Sequence, residues 1–382
     1  MSPTAQSLTD GERLDWLRLS RSENVGPITF RLLLERFGSA TAALEALPEL
    51  AKRGGQARPI RVCPAATAER ELADLARLEA RTIALCEPDY PQALAAADDA
   101  PPLVVLRGQA QLLRRPAVAI VGARNASANG RTLAKGIAGD LARAGYLVVS
   151  GFARGIDTAA HEGALTPGPG AGEAGAGTLA VLAGGVDIIY PAENGRLYDR
   201  LLTEGALLSE MPPGREPQGR HFPRRNRIIA GLSLGVVVVE AALRSGSLHT
   251  ARLAADYGRD VMAVPGSPLD PRAKGCNGLL RQGATLIESA ADVLEALAGS
   301  TESFAEAPNA RFEAAPMVMP SSQEQLQATD KIMELLSPSP ISVDELIRQC
   351  QLSAALVGTV LLELELAGRL ERTPGNRVAL IA

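Results

Sequence analysis

Between about residues 116 and 298, short apolar runs alternate with stretches whose apolar residues recur at helical spacing. In order they read AVAIVG, helix, YLVVSG, helix, TLAVLAGG, helix, ALLSEM, then GVVVVEA, helix, DVMAVPG, ATLIES and a last helix. A run such as GVVVVE is apolar at successive positions rather than alternate ones, so both faces of that strand must be covered. Strands of this kind, alternating with amphipathic helices, predict an α/β core: a Rossmann-like, doubly wound, mostly parallel sheet.

The flanks carry other patterns. LDWLRLS and ITFRLLLERF have helical spacing, and a Gly-Pro turn opens the second. Two readings stand for this region, a SAM-like or helix-hairpin-helix unit whose turn amides hold a phosphate, and a plain helical packing domain. RTIALC and PPLVVLRG read as strands and RGGQARP as a loop. Residues 301–325 are rich in Pro, Ala and polar side chains and read as a linker. ATDKIMELLS, SVDELIRQC and SAALVGTVLLELELAG then give three helices, and RLERTPGNRVALIA a hairpin with its wing tip at TPGN, the order of a winged helix. The expected domains are therefore 1–110 (helical, with a short extension), 111–298 (Rossmann-like), 299–325 (linker) and 326–382 (winged helix). TPGPGAGEAGAG, residues 166–177, contains GxGxxG at Gly170, Gly172 and Gly175. It follows a helix and precedes a strand, the reverse of a dinucleotide fingerprint, and reads as a surface loop.

Composition narrows the function. A chain of 382 residues, 46% hydrophobic, can bury a large core, while a net charge of −4 confines any polyanion site to a local patch. Cys63, Cys86, Cys276 and Cys350 have no CxxC spacing and three histidines are too few for a cluster, so no metal is expected. No secretory leader or membrane span is read, which places the protein in the cytoplasm with no membrane partner.

In a doubly wound sheet, ligands sit beyond the carboxyl ends of the strands. Gly122, Arg124 and Asn125 follow the first strand. Ser150, Gly151, Phe152 and Arg154 follow the second, and Gly184 and Gly185 the third. Ser245, Gly246 and Ser247 open the helix after GVVVVEA. Glycines admit a ligand close to the backbone, a helix start offers free amides, and arginine forks suit phosphate. From Arg215 to Arg227 there are five arginines in 13 residues, opposed by Glu216 alone. The segment reads as a loop stiffened by Pro223 with Phe222 inside it. Aromatics are only 3% of the chain, so Phe152 and Phe222 in ligand-facing loops suggest base stacking beside phosphate neutralisation. No P-loop occurs, and no HExxH, GxSxG or paired-carboxylate pattern stands out in the sequence. Asp157, Glu162, Glu240, His161 and His249 read as helix-start charges, arginine partners or hydrogen-bonding residues, and no catalytic residue is assigned.

VAIVGARNAS, VVSGFARGIDTAAHEGAL, TLAVLAGGVDIIYPAEN, FPRRNRIIAGLS, SGSLHTARLAADYGRDVMAVPG and GCNGLLRQGATLI occur in the order seen in the DNA-processing protein A family (DprA, also called Smf), which this chain resembles densely over about 110–290. The resemblance implies a homodimeric, non-enzymatic protein without a cofactor. Such a protein binds single-stranded DNA, shields incoming DNA and loads the RecA recombinase in natural transformation, with single-stranded DNA-binding protein as a further partner. Carried over by motif, the DNA pocket would comprise Arg124, the Ser150–Arg154 loop with Ala153, Phe222, Arg224, Arg225, Asn226, Arg227, the Ser245–Ser247 turn, Lys274 and, in GCNG, Asn277. The Gly-rich loop is longer than the family usually has.

Two other readings are weighed. Phosphoribohydrolase-like enzymes of related Rossmann-like folds act on nucleotides, but they show PGGxGT and a following Glu where this chain has RSGSLHTA. A duplex-binding factor acting through the winged helix is disfavoured by the eight acidic and five basic residues of 324–377.

Overall fold

The protein is described by a computed structural model covering residues 7–166, 177–298, 322–373 and 375–381. The Gly-rich loop beyond Thr166, most of the expected linker and Pro374 of the wing turn lie outside these residues. The described residues group into two units, 71–298 in one and 8–70 with 322–381 in the other.

The second unit opens with α1 (Asp10–Arg21), α2 (Pro27–Phe37) and α3 (Ala40–Arg53), followed by α4 (Ala65–Arg77), which continues into residues of the first unit. Thr9 and Glu12 cap α1 reciprocally, each side chain accepting from the other residue's backbone amide. Pro27 opens α2 at a position where its missing N–H costs nothing. Trp16 meets Phe30 edge to face at 5.0 Å in the core of this bundle.

The first unit follows with β1 (Ala80–Ala84), α5 (Gln92–Ala95), β2 (Leu103–Gly108), β3 (Ala117–Gly122), α6 (Ala128–Arg143), β4 (Leu147–Ser150), α7 (Ile156–Ala164) and β5 (Gly177–Val181). It continues with α8 (Gly195–Glu204), β6 (Ala206–Ser209), α9 (His221–Leu232), β7 (Gly235–Val239), α10 (Gly246–Asp256), β8 (Asp260–Ala263), α11 (Lys274–Arg281), β9 (Thr285–Leu286) and α12 (Ala290–Leu297). The sheet order is β1-β2-β6-β5-β4-β3-β7-β8-β9. From β6 to β9 every neighbouring pair is parallel, and β1 and β2 add an antiparallel edge. Val118, Ile120, Val237 and Val239 pack with residues of α6, α7 and α12 on one face. The alternate residues Ala119, Val121, Val236 and Val238 are equally buried, and α9 and α10 contact the same strands.

Two boundaries differ from the sequence analysis. Residues 80–108 belong to the sheet rather than to the N-terminal helices, because β2 pairs with β6 through backbone bonds that periodicity does not reveal. The winged helix, with α13 (Ser322–Leu335), β10 (Ile341–Ser342), α14 (Val343–Cys350), α15 (Ala354–Leu366), β11 (Leu370–Thr373) and β12 (Arg377–Leu380), shares a unit with α1–α3. Its α15 packs on α2 and α3, and Asn24 Nδ2 donates to the Leu366 carbonyl at 2.9 Å. This explains why α15 is buried nearly all round, Glu363 included.

Candidate functional site

From β3 the chain winds outward through β4 and β5 to β6, then returns to lay β7, β8 and β9 on the other side of β3. The winding reverses between β3 and β7. Strand-end loops part at such a point and leave a crevice. Beside it lies a cleft with about 500 Å³ of open space, lined among others by Arg124, Gly151, Ala153, Arg154, Gly184, Tyr190, Phe222 and Arg225.

A cluster of flat side chains shapes this cleft. The guanidinium carbons of Arg124 and Arg225 lie 5.1 and 5.9 Å from the centroid of the Phe222 ring. Tyr190, 52% exposed, meets the same ring at 6.1 Å and 58°. Guanidinium over an aromatic face is attractive in itself and leaves its edge donors free for an anion.

Arg225 is 6% exposed, yet its side chain donates no hydrogen bond among the described residues, and its Nε is fully buried without a partner. Its carboxylate partner is Asp157, whose Oδ2 lies 3.9 Å from Nη1. The same Oδ2 accepts from the amides of Gly151 at 3.1 Å and Ala153 at 3.3 Å. Burial pushes the Asp157 carboxyl upward against the pull of Arg225 and these two amides. Burial likewise pulls Arg225 downward, with Asp157 opposing. A buried guanidinium with unmet donors is costly unless something reaches them, and the open side of Arg225 is the cleft.

The arginine cluster is helical where a loop was expected. Pro223 is the third residue of α9, inside the first turn, whose amides have no intrahelical partners to lose. Helical spacing then sorts the cluster. Phe222 and Arg225, three apart, share the face toward the cleft, while Arg224 is exposed. Arg227 turns inward: its Nη2 contacts both Glu210 carboxylate oxygens at 2.7 Å and its Nη1 donates to the Asp99 carbonyl. Asn226 is buried and donates to the Gly246 carbonyl at 3.3 Å, joining α9 to the start of α10.

Other expected residues also have structural roles. Phe152 is fully buried with φ 58°, packed edge to face on Tyr198 at 6.5 Å, so it is not ligand-facing. It fills the apolar space beside Leu182, Leu197 and Leu201. Ser150 is buried, its hydroxyl donating to the Ile120 carbonyl at 2.6 Å. Gly122 lies against the Val239 carbonyl of the adjacent strand, and Gly185 against Asp187 and the Pro212 carbonyl. Arg154 is exposed and pairs with Glu193 at 3.4 Å, and Asn125 is exposed outside the cleft lining. Ser245 caps α10 by accepting from the Ser247 amide at 3.3 Å, and Gly246 is open to solvent. Lys274 and Asn277 line a second, separate cleft.

Sequence reasoning missed Tyr190 together with Ile188, Pro191 and Pro217, which also line the cleft. The signal for Ile188, Tyr190 and Pro191 was present in the quoted stretch GVDIIYPAEN, an unusual apolar and aromatic run after a glycine pair. Of the remaining titratable candidates, Glu240, Glu162 and His161 are engaged. Glu240 accepts from the Ser127 amide at 2.8 Å and from its hydroxyl, at the start of α6, and Glu162 reaches Lys135 at 3.8 Å. His161 is fully buried, with Nδ1 2.7 Å from the Thr178 hydroxyl. That hydroxyl donates its own proton to the Val148 carbonyl, so Nδ1 carries the imidazole hydrogen. Burial drives His161 down to about 3.

With this geometry in place, likeness to known proteins becomes informative. The sequence profile of the DNA recombination-mediator protein A family matches residues 81–298, more than half the chain. The chain belongs to this family. The flanks match the DprA-like N-terminal HHH domain over 10–73 and the DprA winged helix domain over 315–376. The Smf protein of Escherichia coli is 38% identical over 292 residues, covering 76% of this chain and 75% of its own. The DNA processing protein DprA of Streptococcus pneumoniae is 45% identical over 209 residues, 54% of this chain and 70% of its own. A crystal structure of that DprA covers 76% of this chain and 98% of its own at a TM-score of 0.61 and 36% identity. DNA processing protein A from Helicobacter pylori, whose structure is reported for a unique single-stranded DNA binding mode, covers 59% of this chain and 98% of its own, with a TM-score of 0.51 and 29% identity. The fold and family expected from the sequence are thus found. Among the described residues no helix is long and apolar enough to cross a membrane.

Proposed function

We propose that this DprA-family protein binds single-stranded DNA in the cleft beside the β3–β7 crossover, without covalent chemistry. The observation that carries the reading is Arg225: a buried guanidinium with unmet donors, facing open space beside Arg124 and the Phe222 ring. A phosphodiester satisfies such donors, and an unpaired base stacks on the exposed Tyr190 ring. A duplex hides its base faces and offers Tyr190 nothing to stack on. The relative reported for single-stranded DNA binding favours the same ligand.

In this reading the protein acts in the cytoplasm as a homodimer, shields an incoming strand and passes it to RecA during transformation, with single-stranded DNA-binding protein as a further partner. The test is a titration of the full chain against labelled single-stranded and duplex DNA of one sequence. Tight binding to the single strand, weak binding to the duplex and a large loss in Arg124→Ala are expected. Equal affinity for the two forms would defeat the reading.

A further inference from the structure

We propose that α15 is held shut against the N-terminal helical bundle, and that this contact covers a face of α2 and α3 that takes duplex DNA. The contact lies within the second unit and is independent of the cleft described above. In a helix-turn-helix the second helix is the one that enters the major groove. Here that helix is α15, which follows α14. One face of it, Val357, Val360, Leu361 and Leu364, fills the winged helix's own core. A second face, Thr359, Leu362, Glu363 and Leu366, is buried as well. The spacing of three, one and three residues makes these four a single helical stripe. A groove-reading stripe is polar and open, whereas this one is half apolar and closed, with α2 and α3 packed on α15.

Gly54 shows how tight the fit is. A Cβ on it would lie 1.9 Å from the Glu363 carbonyl oxygen and 2.9 Å from the Ala367 Cβ. Its φ of −67° is open to any residue, so the approach of α15 is what calls for glycine there. Asn24, in the turn between α1 and α2, donates to the Leu366 carbonyl at 2.9 Å. Arg369 Nη1 reaches the Gly54 carbonyl at 3.5 Å. The end of α15 is thus pinned to the bundle from two sides.

Charge identifies what α15 stands in for. Residues 8–70 hold ten basic and eight acidic side chains, and 322–381 five basic and eight acidic, so the two halves attract. Glu363 carries that attraction into the contact. Its Oε1 accepts from Gln325 Nε2 at 2.6 Å. Burial pushes its carboxyl upward and Glu49 adds to the rise, against the Gln325 bond and the charges of Arg36 and Arg53. Arg36 belongs to α2, and Arg53 is the last residue of α3, next to Gly54. A carboxylate that draws on two guanidinium groups sits where a DNA phosphate would. The C-terminal end of α15, the negative end of its dipole, meets the same bundle. The occupant is a stiff rod lying across two helices, a shape that a duplex backbone reproduces and a flexible single strand does not.

The experiment compares the full-length protein with two variants that open the contact by different means. Gly54→Leu puts side-chain atoms where the Glu363 backbone lies. Asn24→Asp sets a carboxylate against the Leu366 carbonyl, at a φ of 58° that aspartate tolerates. Hydrogen exchange in α15, α2 and α3 reports release, and fluorescence anisotropy reports binding to a DNA duplex and to oligothymidylate. Both variants are expected to exchange faster in these helices and to bind oligothymidylate as the wild type does. Their duplex affinity should rise about tenfold, with a log–log salt slope steeper by about 1.8, two contacts at about 0.9 each. Adding Arg36→Gln/Arg53→Gln should abolish the gain. Release without a duplex gain overturns the inference, as does unchanged exchange in both variants or a gain that survives the loss of both arginines. Polyglutamate that displaces the duplex from the opened variants as well as unlabelled duplex does would also overturn it and assign the face to acidic polypeptides.

Discussion

A Cβ built on Gly151 would fall inside the guanidinium of Arg225. The glycine after β4 is therefore required for space at the cleft floor. The Asp157 carboxylate, 2.8 Å from the same point, closes the other side. Neither neighbour is free to move: Asp157 holds the Gly151 and Ala153 amides, and Arg225 is enclosed by the ring of Phe222. Gly151→Ala should therefore expel Arg225 from its seat. Overpacking of this kind costs about 1–3 kcal/mol. Thermal unfolding should show that loss, and fluorescence anisotropy should show single-strand affinity falling at least as far as in Arg225→Ala.

Arg224 and Arg227, three apart on α9, should separate cleanly in mutagenesis. Arg227 and Glu210 form a buried pair, 10% and 17% exposed, and removing one member of such a pair costs about 3–5 kcal/mol. Arg227→Ala should lower the urea midpoint strongly. Arg224 is exposed and makes no ion pair among the described residues. Arg224→Ala should leave that midpoint unchanged and affect only DNA binding, through its charge.

His161 gives the protein an acid-sensitive core. Its folded-state value of about 3 lies below the unfolded value of about 6.5. The unfolded chain therefore takes up a proton first as the pH falls. The stability linked to this group is complete above about pH 6.5 and is lost toward pH 3, at no more than about 1.4 kcal/mol per pH unit. Asp157, raised by burial, titrates in the opposite sense, so the comparison must be made between chains at one pH. In urea unfolding at about pH 7 and about pH 4.5, the midpoint of His161→Asn should fall less between the two than that of the wild type.

Much of this was legible in the sequence. Doubly apolar strands such as GVVVVE announced the parallel sheet, and two of the strand-end glycines it singled out, Gly151 and Gly184, line the first cleft. What escaped was direction. A one-dimensional pattern does not say that Phe152 folds under its loop with a left-handed backbone, or that Arg227 points inward while Arg225 faces the cleft. A helix starting at His221 would have supplied the second distinction, because a three-residue step keeps Phe222 and Arg225 together. Pro223 suggested a loop instead, although a helix tolerates proline in its first turn. The antiparallel edge of β1 and β2 and the packing of α15 on α3 depend on long-range partners, which local periodicity does not encode.

The most direct test of the central claim is the salt dependence of single-strand affinity for the wild type, Arg124→Ala and Arg225→Ala. If both guanidinium groups meet phosphates in the cleft, each variant binds more weakly and its log–log salt slope is shallower by about 0.7. Slopes and affinities that match the wild type in both variants would contradict the account.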